Sequence, residues 1–313
     1  MNLDVLYTTG DDNLARVFVA ALADGSHVEF VESVQPPVPR EQKWVLIVST
    51  LKGCPVGCPI CDAGDSYQGK LTADQILAQI EYLIRRRYPN GHVPIPKLKV
   101  QFARMGDPAF NDAVLDVLVQ LPRRFDWPGL LPSISSVAPQ GRDSFFEKLK
   151  QIKRDFYRPG RFQMQFSVHS TDATARRKLV PVKTWSLAQM ADYGNRFYTP
   201  GDRKVTLNFA PAKGLPLEPK ELIGLFSPER FAIKLTPINP TEAALNSGLE
   251  SLIDPRDEIA CRAVVESFEQ CGYDTILSIG ELRENTIGSN CGMYVATQAA
   301  QKSRRKDIGT GLS

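Results

Sequence analysis

The sequence has little of several features that would place it in a simple class. Six cysteines in 313 residues are too few for a disulfide scaffold. No apolar run approaches about 18 residues, so no membrane-spanning helix is expected. The 38 basic and 35 acidic residues leave a net charge of only +3, which lacks the basic excess typical of proteins that bind duplex nucleic acid. With 42% hydrophobic and 23% charged residues, the chain is nevertheless expected to fold around a sizeable core.

Three of the cysteines lie together, and they are the most informative feature of the chain. Cys54, Cys58 and Cys61 form the pattern Cys-x3-Cys-x2-Cys. The first residues are acidic and contain no apolar stretch of the kind that a secretory signal needs, so we expect a cytoplasmic protein. Because the cytoplasm keeps thiols reduced, grouped cysteines there indicate metal ligands or catalytic groups.

Short apolar runs alternate with amphipathic helical patterns along most of the chain. Six strands are predicted, at 45–50, 98–105, 133–137, 162–168, 204–210 and 231–237, and helices at 72–88, 111–122, 143–155, 171–197, 218–226 and 255–271. This order predicts an α/β fold with a parallel sheet, curved into a partial (β/α)6 TIM-like barrel, although a doubly wound open sheet has the same periodicity. Residues 1–40 are predicted to form a small cap around a β-hairpin, 41–298 the barrel with its C-terminal segment, and 299–313 a basic tail.

Polar and glycine-containing motifs follow the predicted strands. The cysteines follow the first strand, Gly106-Asp107-Pro108 the second, and Asn239 the sixth, while Ser135 and the pair Ser167 and His169 end the third and fourth. Functional residues of such barrels lie at the C-terminal ends of the strands, so these motifs are expected to share one face.

Three thiolates are one too few for a structural zinc site, and no nearby cysteine or histidine supplies a fourth ligand. They suit a [4Fe–4S] cluster with one iron left open, with zinc as the alternative.

The ordered motifs resemble those of the radical SAM superfamily, and within it the RlmN/Cfr class of RNA adenine methyltransferases. The resemblance extends from about residue 22 to residue 294. It rests on the cysteine pattern and on these further segments: Leu22-Ala23-Asp24-Gly25-Ser26, Leu71-Thr72-Ala73-Asp74-Gln75-Ile76, Met105-Gly106-Asp107-Pro108, Ser167-Val168-His169, Leu179-Val180-Pro181, Pro237-Ile238-Asn239-Pro240 and Ile287 to Gly292.

The resemblance implies roles for these residues. Cys54, Cys58 and Cys61 would ligate the cluster, and S-adenosyl-L-methionine (SAM) would bind its open iron and be cleaved reductively to a 5′-deoxyadenosyl radical. The SAM contacts implied are Gly106, Asp107, Pro108, Ser135, Ser167, His169 and Asn239. Cys291 matches the methyl-accepting cysteine, and a reductant such as flavodoxin or ferredoxin would be the electron donor.

Three departures separate the chain from that class. Ile47 stands where the class has a second cysteine, seven residues before Cys54, that resolves the covalent product. Asn285, Thr286 and Gly288 replace the acidic residues expected before Cys291. Only 53 residues precede Cys54, so the longer N-terminal accessory domain is not expected here.

These departures favour a radical SAM enzyme that acts on a substrate other than ribosomal RNA, such as a nucleoside, a small metabolite or a peptide. An RNA adenine methyltransferase that releases its adduct without a thiol at position 47 is the alternative, with RNA as partner. A non-catalytic iron–sulfur sensor is a third hypothesis. The run Arg85-Arg86-Arg87 is interpreted as a solvated helix C-terminus. Arg176 and Arg177, near the predicted barrel mouth, are also interpreted as solvated charges, with a phosphate-bearing substrate as their other candidate partner.

Overall fold

The structure is a computed structural model that describes residues 3–289, apart from the side chains of residues 65, 66, 282 and 286. Cys291 and the basic tail therefore lie outside the described residues. None of the helices between residues 3 and 289 has the length and apolar character needed to cross a bilayer.

Ten strands form one sheet that is antiparallel in its first part and parallel in the rest. Together with a separate pair, β5 and β6, the described chain has twelve strands: β1 Asp4–Gly10, β2 Ala15–Ala21, β3 His27–Ser33, β4 Lys43–Val48, β5 Leu51–Lys52, β6 Gly69–Lys70, β7 Lys97–Phe102, β8 Leu130–Ser136, β9 Gln163–Ser167, β10 Val205–Phe209, β11 Phe231–Leu235 and β12 Thr275–Leu277. The order in the sheet is β1-β2-β3-β4-β7-β8-β9-β10-β11-β12, with β5 and β6 paired separately. The strands run parallel from β4 onward, and within the described part of the chain β1 and β12 remain open edges.

The helices connect the parallel strands. They are α1 Ala73–Arg87, α2 Ala113–Gln120, α3 Asp143–Phe156, α4 Ala173–Leu179, α5 Leu187–Phe197, α6 Lys220–Ile223, α7 Glu242–Ser247, α8 Glu258–Glu269 and α9 Leu282–Ile287. Thr72 starts α1 with a capping box, in which its hydroxyl accepts from the amide of Gln75 and the Gln75 side chain accepts from the amide of Thr72.

Alternation along each parallel strand gives the sheet two different faces. In β4, Trp44, Leu46 and Val48 are buried in the main hydrophobic core together with Ile76 and Ile80 of α1. The intervening residues point to the opposite, inner face of the curved sheet, as alternation requires. The outer face therefore carries the core, and the inner face is available for other groups.

The six predicted strands and the α/β class are confirmed, and the N-terminal hairpin is present as β2 and β3. Since β3 pairs with β4, the hairpin continues the main sheet. The helical stretch predicted over 171–197 contains two helices, α4 and α5. They are separate because Pro181 has no amide hydrogen with which to continue α4. The helix predicted from residue 255 begins at Glu258, with Asp257 as its N-cap.

Candidate functional site

The cysteine loop leaves the sheet directly after β4. Strands β5 and β6 pair at its base, and the three cysteines between them are half-buried. Gly53 and Gly57 have φ angles of 77° and 65°, a left-handed conformation that favours glycine and lets the chain fold back tightly. The amide of Cys61 donates to the carbonyl of Cys58 at 3.1 Å, which keeps the last two cysteines on one turn.

The environment of the thiols disfavours negative charge in the absence of a cation. Burial raises the pKa of Cys58 well above its usual range, and the neighbouring Cys61 and Cys54 raise it further. Burial also raises the pKa of Cys54, although the amides of Val56 and Gly57 act in the opposite direction. The influence of Cys54 and Cys61 on the pKa of Cys58 indicates that the three thiols are neighbours in the loop.

Within residues 3–289 no group of three His, Cys, Asp or Glu side chains has the spacing of a ready-made metal site. The donor set nevertheless suits an iron–sulfur cluster, since three neighbouring thiols in a partly buried loop need a positive group to become thiolates. The residues present therefore fit the cluster by their chemistry.

The Gly106–Pro108 turn lies against the cysteine loop. Gly106 has a φ of 90°, and a Cβ there would lie 2.4 Å from Leu51 Cγ, so this position requires glycine. Asp107 is buried, its carboxylate accepts from the amides of Ala109 at 2.9 Å and Val137 at 2.7 Å, and burial raises its pKa to about 6. The carboxylate thus joins the loop after β7 to the loop after β8. Pro108 is buried beside it, at the first position of a 3-10 turn.

The remaining predicted SAM contacts follow β8, β9 and β11. Ser135 and Ser167 are half-buried near the ends of their strands, and the buried Ser135 Oγ has no hydrogen-bond partner within the described chain. His169 has a φ of 67°, and its Nδ1 accepts from the amide of Ala210 at 3.1 Å. Burial lowers the pKa of His169 to about 4, so the ring is neutral with its hydrogen on Nε2. Asn239 is half-buried in the loop after β11.

A second apolar cluster joins these loops, separate from the main core. Its buried members come from the loops that follow β4, β8, β10 and β11 and from the end of α4: Val56, Val137, Leu179, Val180, Ala210, Ala212, Ile238 and Ala244. Cys54 and Cys58 pack against it. The strand-end motifs are therefore brought together at one end of the sheet.

Several residues of this site were not predicted from the sequence. Arg176 is buried, and the interpretation of it as a solvated charge is wrong. Its guanidinium donates to the carbonyls of Val137 at 2.9 Å and Trp185 at 3.1 Å, and burial lowers its pKa to about 10 while Cys58 opposes that shift. The available signal in the sequence was its position seven residues after His169, near the predicted barrel mouth.

The loop after β11 also closes onto the cysteine loop. The hydroxyl of Thr241 donates to the carbonyl of Ile60 at 3.2 Å, and Asp62 accepts from the amide of Ala243 at 2.9 Å. Ser247 Oγ donates to the carbonyl of Pro59 at 3.0 Å.

The structure describes the chain up to two residues before Cys291. Arg104, just before the Met-Gly-Asp-Pro motif, forms a buried ion pair with Glu29 at 2.6 Å. It also donates to the carbonyls of Gly288 at 2.7 Å and Ser289 at 3.2 Å. The segment that leads to Cys291 is therefore attached to the residues that precede the Gly106 turn.

Comparisons with known proteins agree with the motifs. No protein-family model matches the chain. A probable dual-specificity RNA methyltransferase RlmN of Desulfitobacterium hafniense is 27% identical over 237 residues, which cover 72% of this chain and 62% of that protein. A probable RNA methyltransferase of Thiobacillus denitrificans is 31% identical over 75% of this chain and 59% of its own length. The chain thus spans about three fifths of these two relatives.

A solved structure gives the same result for the fold. A radical SAM methyltransferase from Sphaerobacter thermophilus superposes with a TM-score of 0.72 at 20% identity, over 93% of this chain and 81% of that one. The chain thus has the fold of radical SAM methyltransferases. Within that class it is RlmN/Cfr-like, as its motifs predicted.

Proposed function

We propose that the protein is a radical SAM enzyme of the RlmN/Cfr type that modifies RNA. The observation that carries this proposal is the apolar cluster that packs the cysteine loop against the loops after β8, β10 and β11. The proposal is supported by the position of the three thiols and the predicted SAM contacts at one end of the sheet, since barrels of this class keep their reacting groups at such an end.

In this proposal Cys54, Cys58 and Cys61 hold a [4Fe–4S] cluster. Such a cluster, when bound, supplies the electron that cleaves SAM to methionine and a 5′-deoxyadenosyl radical. Asp107 fixes the Gly106 turn through its two backbone hydrogen bonds, and Ser135 Oγ is free to bind a polar group of SAM. The apolar cluster around Val56 and Ile238 excludes water from the cleavage site.

RNA is the substrate that the relatives favour, since their names describe RNA methyltransferases. The hypothesis of a non-ribosomal small substrate depended on the three departures from the class, and nothing in the comparisons supports it. Adenine methylation is therefore the reaction to test first, with Cys291 as the candidate methyl acceptor. A flavodoxin- or ferredoxin-like electron donor and a cytoplasmic location remain parts of the proposal.

The test begins with anaerobic reconstitution of the full chain. We expect about four irons per chain in the wild type, and loss of the cluster's visible absorption in Cys54→Ala, Cys58→Ala and Cys61→Ala. Cys271→Ala is the matched control, because Cys271 packs against the main core. Full iron content in a variant lacking all three loop cysteines would refute the cluster assignment.

The reduced holoenzyme is then incubated with SAM and an adenosine-containing RNA. We expect 5′-deoxyadenosine together with a methylated adenine, both measured by mass spectrometry. Cleavage of SAM without any change in RNA would reject RNA as the substrate and keep the radical SAM assignment. No cleavage with any reductant would favour the sensor hypothesis.

A further inference from the structure

Arg176 is a buried cation without a carboxylate partner. In the part of the chain that the structure describes, three lysine or arginine side chains are buried: Arg104, Lys153 and Arg176. Arg104 forms an ion pair with Glu29, and Lys153 forms one with Asp202. Arg176 is only 5% exposed, yet no carboxylate of the described residues forms an ion pair with it. A buried charge is costly unless an opposite charge accompanies it, so Arg176 needs a counter-ion of another kind.

The hydrogen bonds of Arg176 fix its position but do not neutralise its charge. The guanidinium donates to the carbonyls of Val137 and Trp185 and to the hydroxyl of Thr184, which are all neutral acceptors. Its Nε is also buried and has no hydrogen-bond partner among the described residues. Because buried polar groups are normally paired, this N–H points to an acceptor that those residues do not supply.

The surroundings of Arg176 identify the cysteine loop as its negative neighbour. Val137, which accepts from Arg176, belongs to the apolar cluster against which Cys54 and Cys58 pack. Among the charges that dominate the pKa of Cys58, Arg176 is the one that lowers it, whereas the other two thiols and Asp107 raise it. Cys58 is in turn the charge that raises the pKa of Arg176. The counter-ion of Arg176 is therefore the loop once its thiols are deprotonated.

The position of this cation is set by the fold. The backbone of Val137 connects two opposite charges, because its amide donates to Asp107 at 2.7 Å and its carbonyl accepts from Arg176 at 2.9 Å. Helix α4 holds the stem of Arg176, and Leu179 one turn later is buried in the same apolar cluster. A charge fixed in this way cannot swing into solvent when the charge beside it changes.

We propose that Arg176 raises the reduction potential of the cluster that Cys54, Cys58 and Cys61 hold in the proposed function. Three thiolates make the oxidised cluster an anion, and one electron from an external one-electron donor makes it more negative. The iron is reduced, the donor is oxidised, and no bond forms or breaks. A desolvated cation stabilises the reduced state more than the oxidised state, so the electron is easier to deliver. The inference rests on the proposed function for the identity of the metal group.

The midpoint potential of the reconstituted cluster measures this effect. The reduced cluster is followed by EPR in a redox titration with viologen mediators, without SAM, so that no cleavage interferes. We expect Arg176→Met to lower the potential, because the side chain keeps its length and loses its charge. The ratio of reduced to oxidised cluster at a fixed potential should fall about tenfold or more, which is about 59 mV for one electron. Iron content and visible absorption check that the cluster in the variant is intact.

Three further variants separate charge from packing. Arg176→Lys keeps the charge and loses hydrogen bonds, so it should retain most of the wild-type potential while its unfolding midpoint falls. Arg177→Met is the matched control, because it removes an exposed arginine of the same helix and should leave the potential unchanged. Arg176→Gln is neutral and can still donate to the Val137 carbonyl, so it takes the place of Arg176→Met if that variant does not fold.

The outcomes distinguish this inference from the proposed function. An intact cluster with the wild-type potential in the neutral variants overturns the inference and leaves the proposed function standing. An equal fall in Arg176→Lys and Arg176→Met also overturns it, since packing and not charge would then set the potential. A wild-type protein that binds no cluster rejects the proposed function, and the inference with it.

Discussion

At the scale of single residues, Asp107 links stability to the candidate site. Asp107→Ala removes the acceptor for two buried amides, those of Ala109 and Val137. We expect it to lower the free energy of unfolding by about 2–3 kcal/mol and to weaken SAM binding, because the Gly106 turn loses its attachment to β8. Urea denaturation and calorimetric titration with SAM measure the two effects.

Asp112→Ala is the control, since that carboxylate is 60% exposed in a surface ion pair. Equal stability of both variants would contradict this account.

Lys99 gives a second prediction at this scale. Burial lowers its pKa to about 7 in the folded protein, and the usual value in an unfolded chain is about 10.4. Between these values the unfolded state binds more protons, so stability rises with pH from about 7 to about 10, and the full penalty applies below pH 7. Lys99→Met should therefore stabilise the ligand-free protein by about 1 kcal/mol or more at pH 6.5 and by less at pH 9.5. Thermal unfolding at the two pH values checks this, and a destabilised variant at pH 6.5 would count against it.

The sequence names candidate site residues, but it does not show which hydrogen bonds their side chains make within the fold. Asp107 stays a predicted SAM contact, and the structure adds that its two oxygens accept from backbone amides. Arg176 and Arg177 were both interpreted as solvated charges, yet α4 turns Arg176 inward and leaves Arg177 exposed. Adjacent charges on a helix point in directions about 100° apart, and only the packing of the helix decides which one is buried.

At the scale of elements, periodicity identified six of the parallel strands and failed at short segments. The strand β12 has three residues, too few for a recognisable alternation, and it is held by its pairing with β11. The helix α7 has six residues and is fixed by contacts with the cysteine loop that are remote in sequence. Short elements of this kind depend on tertiary contacts, which no local pattern records.

The attachment of α9 to the sheet provides the prediction at this scale. Arg104→Ala leaves Glu29 buried without its cation and removes two donors from the carbonyls of Gly288 and Ser289. We expect a loss of about 3–5 kcal/mol in stability, and faster hydrogen exchange in residues 282–289 than in β9. The double variant Glu29→Gln with Arg104→Met removes both charges, so it should recover part of the stability while exchange at α9 stays fast. Unchanged exchange in both variants would show that Arg104 does not hold this segment.

At the scale of the whole molecule, the two faces and the C-terminal edge of one sheet carry different groups of residues. The outer face carries the main core, the C-terminal edge gathers the cysteine loop and its neighbours, and the inner face carries Lys99 of β7. The N-terminal strands contribute a further apolar cluster, in which Leu14, Val17 and Val31 pack with Ile287 of α9. Strands β2 and β3 and helix α9 therefore meet beside Ile47 of β4.

Ile47 packs against that cluster, at the position where the RlmN/Cfr class has its resolving cysteine. Since Ile287 is in the cluster and Cys291 follows it by four residues, we expect Ile47→Cys to form a disulfide with Cys291 under mild oxidation. Val45→Cys is the matched control, because it lies on the same face of β4 two residues earlier and should pair less. Peptide mapping by mass spectrometry measures both.

If Ile47→Cys also speeds the release of methylated RNA under reducing assay conditions, the missing thiol limits turnover in this protein. Disulfide formation without faster release would mean that the adduct leaves by another route. If neither variant forms a disulfide with Cys291, then Cys291 does not come within disulfide distance of position 47.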